Sequence, residues 1–279
     1  MSLPFAAPAA PVDFGRPELP AERRAAILAL LLTPDCPRER HAWAEAVRTL
    51  ETGWLIGEWV DQLPAGARLP VLAALLDESA PEPLPVRQAL LLDARRIMCA
   101  DGRVRPIDRL TWLVMRHRLG GRAWPRRGGL RDDVHLNHLP LALRQAIGHI
   151  TAYLARLVPA PVQDAVVGVA GTAWYDTVMS DVWGDASALP GCHVPDVDTF
   201  GRAAHLLQSL GWMHRPILAR LWVDAATTRP GLATRPGEPL PVAAQALWLA
   251  CTLLDTPLPP ALARHFIETP GQGQARDGT

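Results

Sequence analysis

The chain has 279 residues, of which 49% are hydrophobic and 20% are charged, and its formal net charge is zero. A chain of this length and composition can bury a substantial core, which excludes global disorder. The balanced charge gives no overall attraction to nucleic acid or to an anionic membrane, so no nucleic-acid partner is expected. All 28 basic residues are arginine and lie spread along the sequence, which argues against a dedicated phosphate-binding patch.

The cysteines and the hydropathy pattern indicate the cellular compartment in which the protein is expected. Cys36, Cys99, Cys192 and Cys251 lie far apart and form no CxxC pair, a pattern that favours free thiols in a reducing environment. The N-terminus lacks the basic start and apolar run of a signal peptide. No apolar stretch reaches the roughly 18 residues that a transmembrane segment needs. We therefore expect a cytoplasmic protein with no transmembrane segment.

Helix-forming residues dominate the sequence from the first apolar run onward. Ala, Leu and Arg are abundant, and prolines fall between the apolar runs, where helices begin. Apolar side chains recur mostly three or four residues apart, which is the spacing of one helix face. This pattern predicts an all-α, multi-helix antiparallel bundle of about ten helices. The expected elements are 21–33, 38–61, 66–78, 84–100, 106–119, a helix opened by Pro140, 161–180, 199–210 with Asp198 as N-cap, a helix opened by Pro216, 240–254 and a short helix after Pro260.

Loop-forming segments divide the predicted helices into two groups. The predicted organisation is a disordered tail at 1–19, an N-terminal helical unit at 20–121, a loop at 122–137, a C-terminal helical unit at 138–266 and a disordered tail at 267–279. Two arrangements stay open at this point, because the two units can be separate domains or parts of one continuous bundle.

A short acidic turn, Ala-Asp-Gly-Arg, joins two of the predicted helices. Gly102 can take the left-handed conformation that closes a helix, and Asp101 can bond to nearby backbone N–H groups. Arg105 then lies at the N-cap of the next helix, Pro106 at N1 and Asp108 at N3, from which a carboxylate reaches the N-cap N–H. Helix termination and initiation account for this motif without a ligand.

The same turn carries a family resemblance. Residues 96–104, followed by the acid Asp108, resemble the "ADGR-(V/I)-x-x-x-E" turn of TerB-like helical domains. Three further segments are similar, in the same order, to the accessory region that follows the peptidase domain of HtpX-like bacterial membrane zinc metallopeptidases: 26–35, 68–72 and 253–260. The resemblance implies one or two TerB-like units and a regulatory or interaction role. The implied protein partner is a separately encoded membrane metallopeptidase or an envelope-stress component.

The chain departs from this family at the residues that matter for chemistry. It contains no HExxH motif, so the zinc-binding helix of the peptidase is absent. In the second turn of the family pattern, Pro236 replaces an Asp and Gln245 replaces a Glu. No nucleophile motif or glycine-rich phosphate loop is recognisable in the sequence. We expect a non-enzymatic protein that has no cofactor.

Two groups of residues keep an alternative open, namely a metal- or small-ligand-binding protein. Asp101 and Asp108 could form part of a metal site, although two carboxylates are too few for a calcium cage. Asp132, His135 and His138 have a spacing compatible with zinc ligands, but a loop rich in His and Asp is commonly just solvated. Helix capping and solvation are the simpler interpretations of these two groups.

The ten tryptophans are unusual beside four phenylalanines and two tyrosines. Trp43, Trp54 and Trp59 are close in sequence, and Trp112 projects away from the apolar stripe of its predicted helix. Core packing explains such residues in most helical proteins. The alternative is a partner-binding face, because exposed tryptophan anchors many interfaces.

Overall fold

The computed structural model describes residues 15–120, 135–162, 166–184, 189–227 and 240–266. All regular structure in these ranges is helical, which confirms the predicted all-α multi-helix fold. The α-helices are α1 (Pro20–Leu30), α2 (Pro37–Val47), α3 (Gly53–Gln62), α4 (Ala65–Ser79), α5 (Leu84–Met98), α6 (Pro106–Leu119), α7 (Leu141–Leu154), α8 (Val169–Trp183), α9 (Val197–Leu207), α10 (His214–Thr227), α11 (Val242–Leu253) and α12 (Pro260–Ala263).

The first five helices enclose one hydrophobic core, here called the N-terminal core. Helix α1 lies at its centre and packs against α2, α3, α4 and α5. Ala26, Ile27 and Leu28 of α1 are fully buried there. Because α1 is apolar around most of its circumference, it is the natural centre of this group rather than a surface helix.

Helices α7 to α11 enclose a second core, here called the C-terminal core. Its centre contains two fully buried tryptophans whose N–H groups are both satisfied. Trp174 Nε1 donates to the carbonyl of Trp222 at 3.1 Å, and Trp222 Nε1 donates to Thr151 Oγ1 at 3.0 Å. Tyr153 stacks on Phe200 with a centroid separation of 3.8 Å, which ties α7 to α9.

Helix α6 contributes to both cores. Leu110 and Val114 belong to the C-terminal core, whereas Met115 and Leu119 belong to the N-terminal core. Of the helices in the C-terminal half of the chain, α11 packs along α6. The first turns of α6 and α11 line the same cleft, and their last turns meet at Asp255. The two helices therefore run parallel. The division into an N-terminal and a C-terminal helical unit remains a prediction, and α6 is the element that they would share.

Several predicted features differ from the structure, and one of them is the helix expected at 161–180, which begins only at Val169 as α8. The single helix expected at 38–61 is instead α2 and α3, separated by a turn in which Gly53 N–H donates to Leu50 O at 2.9 Å. The break lets α3 fold back onto α1, and a Cβ at Gly53 would lie 3.3 Å from Val47 Cγ2. The N-cap of α9 is Asp196 rather than Asp198, since Asp196 Oδ1 accepts from Thr199 N at 2.7 Å.

Helix length bears on the expectation that no segment spans a membrane. The longest α-helices in the described ranges have 15 residues. A transmembrane helix needs about 20 predominantly apolar residues. No helix in the described part of the chain combines the required length and apolar character.

Candidate functional site

The Asp-Gly turn connects α5 to α6 as a helix-ending structure. Gly102 has a φ of 78°, and its N–H donates to Cys99 O at 3.0 Å. Asp101 Oδ1 accepts from Arg103 N at 2.7 Å, which closes a local turn of the kind that Asp favours. The predicted left-handed glycine and the predicted backbone bond of Asp101 are therefore both present.

Asp108 caps the start of α6 from the N3 position. Its Oδ2 accepts from the backbone N–H of Arg105 at 2.9 Å, which is the predicted carboxylate half of a capping box. The Arg105 side chain folds over the same carboxylate, with Nε to Oδ2 at 2.9 Å and Nη2 to Oδ1 at 2.8 Å. Because Asp108 is only 6% exposed, this bidentate contact neutralises a carboxylate that would be costly to bury alone.

The sequence paired Asp101 with Asp108, but the acid that lies beside Asp101 in the structure is Glu39. Ligand atoms of Asp101, Cys36 and Glu39 lie within 4.8 Å of one another, and these residues come from the α5–α6 turn and the start of α2. Glu39 is 1% exposed and accepts from Thr33 N at 2.5 Å and from Thr33 Oγ1 at 2.8 Å. Sequence reasoning missed Glu39, since its burial depends on a contact with the distant turn.

A positive charge already faces this cluster. Arg105 Nη2 lies 3.8 Å from Glu39 Oε1 while it also bonds to Asp108. Burial works against the charge of Arg105, but the hydrogen bond and attraction of Asp108, with Glu39 and Asp101 nearby, raise the pKa of Arg105. A cation that entered between Glu39 and Asp101 would therefore be repelled by a firmly charged guanidinium.

A cleft of about 280 Å³ opens beside this turn, between the first turns of α4, α6 and α11. Asp108 and Gln245 both line it, so the first turns of α6 and α11 border the same cleft. Gln245 Nε2 donates to Leu240 O at 3.0 Å, which is a local bond that the family's Glu could not make. Arg68 also lines the cleft, and burial lowers the pKa of its guanidinium although Asp61 acts in the opposite sense.

A second depression of about 290 Å³, here called the α6 groove, lies on the other side of the Asp-Gly turn. Its floor is formed by α6, and its walls are the end of α5 and the first turns of α9. Val104 lines it and is 45% exposed, and the exposed Cys99 lies at the α5 wall. The groove is thus an open, mainly apolar surface feature next to the turn that the sequence singled out.

Four residues of α6 form the floor of this groove at the spacing i, i+3, i+4 and i+7. They are Arg109, Trp112, Leu113 and Arg116. Residues at this spacing lie on one face of a helix. Trp112 packs partly against the N-terminal core and Leu113 partly against the C-terminal core, so each leaves an edge in the groove. Sequence reasoning identified Trp112 and missed the two arginines, although the helical spacing was available as a signal.

The four tryptophans considered as an alternative partner face have different environments. Trp43 is buried, and its Nε1 donates to Ala25 O at 3.0 Å, so its assignment to a partner face is corrected to core packing. Trp59 is partly buried against the N-terminal core. Trp54 is 60% exposed on α3. Trp112 lines the α6 groove.

The predicted zinc group is covered only in part by the structure. Asp132 lies outside the described residues. His135 and His138 lie at the two ends of a short 3₁₀ turn, with their ring centroids 5.5 Å apart. The hypothesis that these three residues bind zinc therefore stays a prediction.

Comparisons with known proteins add no assignment to this geometry. No family model, curated protein or solved structure matches the chain. The resemblance to TerB-like domains and to the metallopeptidase accessory region therefore rests on the motifs described above.

Proposed function

We propose that this protein is a non-enzymatic helical interaction module, a stand-alone relative of the accessory region of membrane metallopeptidases. The observation that carries the proposal is the α6 groove. It exposes the edges of Trp112 and Leu113 beside Val104 on a surface that the described residues leave uncovered. Tryptophan in a partly desolvated depression is the residue type that most often anchors a protein interface.

The groove also has the rigidity that an interface anchor needs. Trp112 and Leu113 are held from below by two different cores, so neither side chain has to be ordered when a partner binds. A preorganised anchor avoids the free-energy cost of about 0.5–1.5 kcal/mol per side chain that binding otherwise imposes. The motif resemblance supports a membrane metallopeptidase or an envelope-stress component as the partner.

In-cell crosslinking tests this proposal. A photo-crosslinking amino acid is placed at Val104 in the groove and, as a control, at Leu141, which is 54% exposed on α7. We expect a reproducible protein adduct from position 104 that disappears when Trp112→Ala is added. Adducts that are equal from the two positions, or unaffected by Trp112→Ala, would contradict the proposal.

A second candidate function is metal or small-ligand binding, which the cluster of Cys36, Glu39 and Asp101 favours. These side chains offer one thiolate and two carboxylates, a mixed set that suits zinc better than calcium. The charge of Arg105 beside Glu39 opposes this function, which is why it ranks second.

Calorimetric titration with zinc and with calcium separates the two functions. If the cluster binds metal, the heat is lost in Asp101→Ala and Cys36→Ser and is retained in Asp224→Ala, which removes an exposed carboxylate from α10. Absence of heat at micromolar zinc and millimolar calcium would eliminate the metal function.

A further inference from the structure

We infer that the partner segment recognised by the α6 groove is an acidic peptide with large apolar side chains. This inference rests on the proposed interaction function and names the chemistry of the partner at the same site. It follows from the charges around the groove, because the apolar floor alone does not specify the charge of the partner.

Three exposed arginines surround the groove: Arg95 on α5, and Arg109 and Arg116 on α6. None of the three forms an ion pair with any residue of the described ranges. The carboxylate that lines the groove, Asp108, is already bound by Arg105. Among the residues that line the groove, three arginines therefore outnumber the single paired carboxylate, although the whole chain has a formal net charge of zero.

The positions of these charges relative to the apolar floor define the complementary ligand. Arg109 and Arg116 are seven residues apart on α6, which corresponds to about 10 Å along the helix axis. Trp112 and Leu113 lie between them. A peptide that places apolar side chains on the floor and carboxylates toward the two arginines satisfies both kinds of surface at once.

Arginine and an apolar floor together favour a carboxylate-bearing peptide over other anions. A guanidinium binds a carboxylate through two parallel hydrogen bonds, and its planar group also packs well against a neighbouring aromatic ring. Nucleic acid would satisfy the charges, but a binding surface for it requires a basic stripe longer than this groove. An anionic bilayer would satisfy them too, but it presents a flat surface to a concave site.

Selection from a random peptide library displayed on phage tests the inference with the full-length chain. We expect enrichment of peptides in which Glu or Asp flanks Leu, Phe or Trp, and loss of their binding in Trp112→Ala. Far-UV circular dichroism of each variant verifies that it is folded.

Charge reversal then isolates the arginines. Arg109→Glu and Arg116→Glu should each weaken the selected peptides about tenfold, as expected for loss of a close charge pair. Arg220→Glu, at another exposed arginine, on α10, should change the affinity little. Replacing the acidic residues of the peptide by Lys should restore binding to the Glu variants, and a folding defect could not produce such rescue.

The remaining outcomes separate this inference from the proposed function. Selected peptides that need Trp112 but are uncharged or basic would overturn the acidic partner and leave the interaction function standing. Failure to select any Trp112-dependent peptide would overturn both. Binding of anionic vesicles or single-stranded DNA that is lost in Arg109→Glu, with no acidic peptide selected, would also overturn the peptide inference.

Discussion

At the scale of single residues, Asp108 is the side chain on which the start of α6 depends. Its carboxylate accepts three hydrogen bonds from Arg105, two of them from the guanidinium. We expect Asp108→Ala to lower the free energy of unfolding by about 1–3 kcal/mol, because a helix cap and a charged hydrogen-bonded pair are both lost. Urea unfolding at neutral pH measures this change.

The neighbouring acid of the same turn supplies the control. Asp101 makes a single backbone hydrogen bond to Arg103 at the surface, so Asp101→Ala should cost clearly less than Asp108→Ala. Equal losses in the two variants would mean that the bonds to Arg105 add nothing to stability.

The four cysteines are expected to differ in reactivity because they differ in burial. Burial raises the pKa of Cys251 to about 12 and that of Cys192 to about 11, so little thiolate forms at either position near neutral pH. Cys99 is exposed at the α6 groove. Iodoacetamide at pH 8 should alkylate Cys99 first and Cys251 only after unfolding, as followed by peptide mass spectrometry. Rapid labelling of Cys251 in the native protein would contradict the described burial.

At the scale of elements, the α5–α6 turn requires a glycine and α9 does not. Gly102 has a φ of 78°, whereas Gly201 lies inside α9, and an added Cβ would meet no atom within 4 Å at either position. The effects of the two alanine substitutions therefore come from the backbone alone. Gly102→Ala should cost about 1 kcal/mol and Gly201→Ala should stabilise by about 0.5–1 kcal/mol.

Thermal or urea unfolding of the two variants measures these opposite effects. Since Gly201 lines the α6 groove, its variant also needs a secondary-structure spectrum equal to that of the parent protein. A stabilising Gly102→Ala would show that the turn does not hold the left-handed conformation in solution.

The contact between the ends of α6 and α11 predicts a dependence of stability on acid. Burial acts to raise the pKa of Asp255, but His117, Arg118 and Arg215 outweigh it and hold this pKa below its usual value. A carboxyl whose pKa is lower in the folded state stabilises the fold above its unfolded pKa of about 4. That contribution is lost as the pH falls through the folded pKa.

The matched variant for this contact is Asp255→Asn. Asn tolerates the positive φ of 48° at this position and removes the charge. We expect the variant to be less stable than the parent protein at neutral pH and the difference to shrink as the pH falls below about 4. Urea unfolding over this range measures it, and a constant difference would exclude the ionic contribution of Asp255.

Sequence reasoning recovered the elements better than their contacts. Proline at helix starts and apolar spacing predicted nearly every helix, and the chemistry of Gly102 and Asp108 predicted the α5–α6 turn. The split between α2 and α3 was missed because it serves packing of α3 on α1. The burial of Glu39 and the meeting of His117 with Asp255 also arise between segments that are distant in sequence, where local patterns carry no signal.

At the scale of the whole molecule, α6 couples the two cores. Leu218 lies on α10 and is buried in the C-terminal core, away from α1. We expect Leu218→Ala to cost about 2–5 kcal/mol and to accelerate amide hydrogen exchange in α1 as well as in α10. Unchanged protection of α1 would show instead that the N-terminal and C-terminal units are independently stable domains.

The shared position of α6 has a practical consequence for finding what binds this protein. An occupant of the α6 groove rests on Trp112 and Leu113, which are supported by opposite cores. Its binding free energy would therefore be added to the stability of both cores, and the Tm of the protein would rise with ligand concentration. Heat denaturation in the presence of compounds or peptides would thus report occupancy of the groove, without any enzymatic readout or labelled partner.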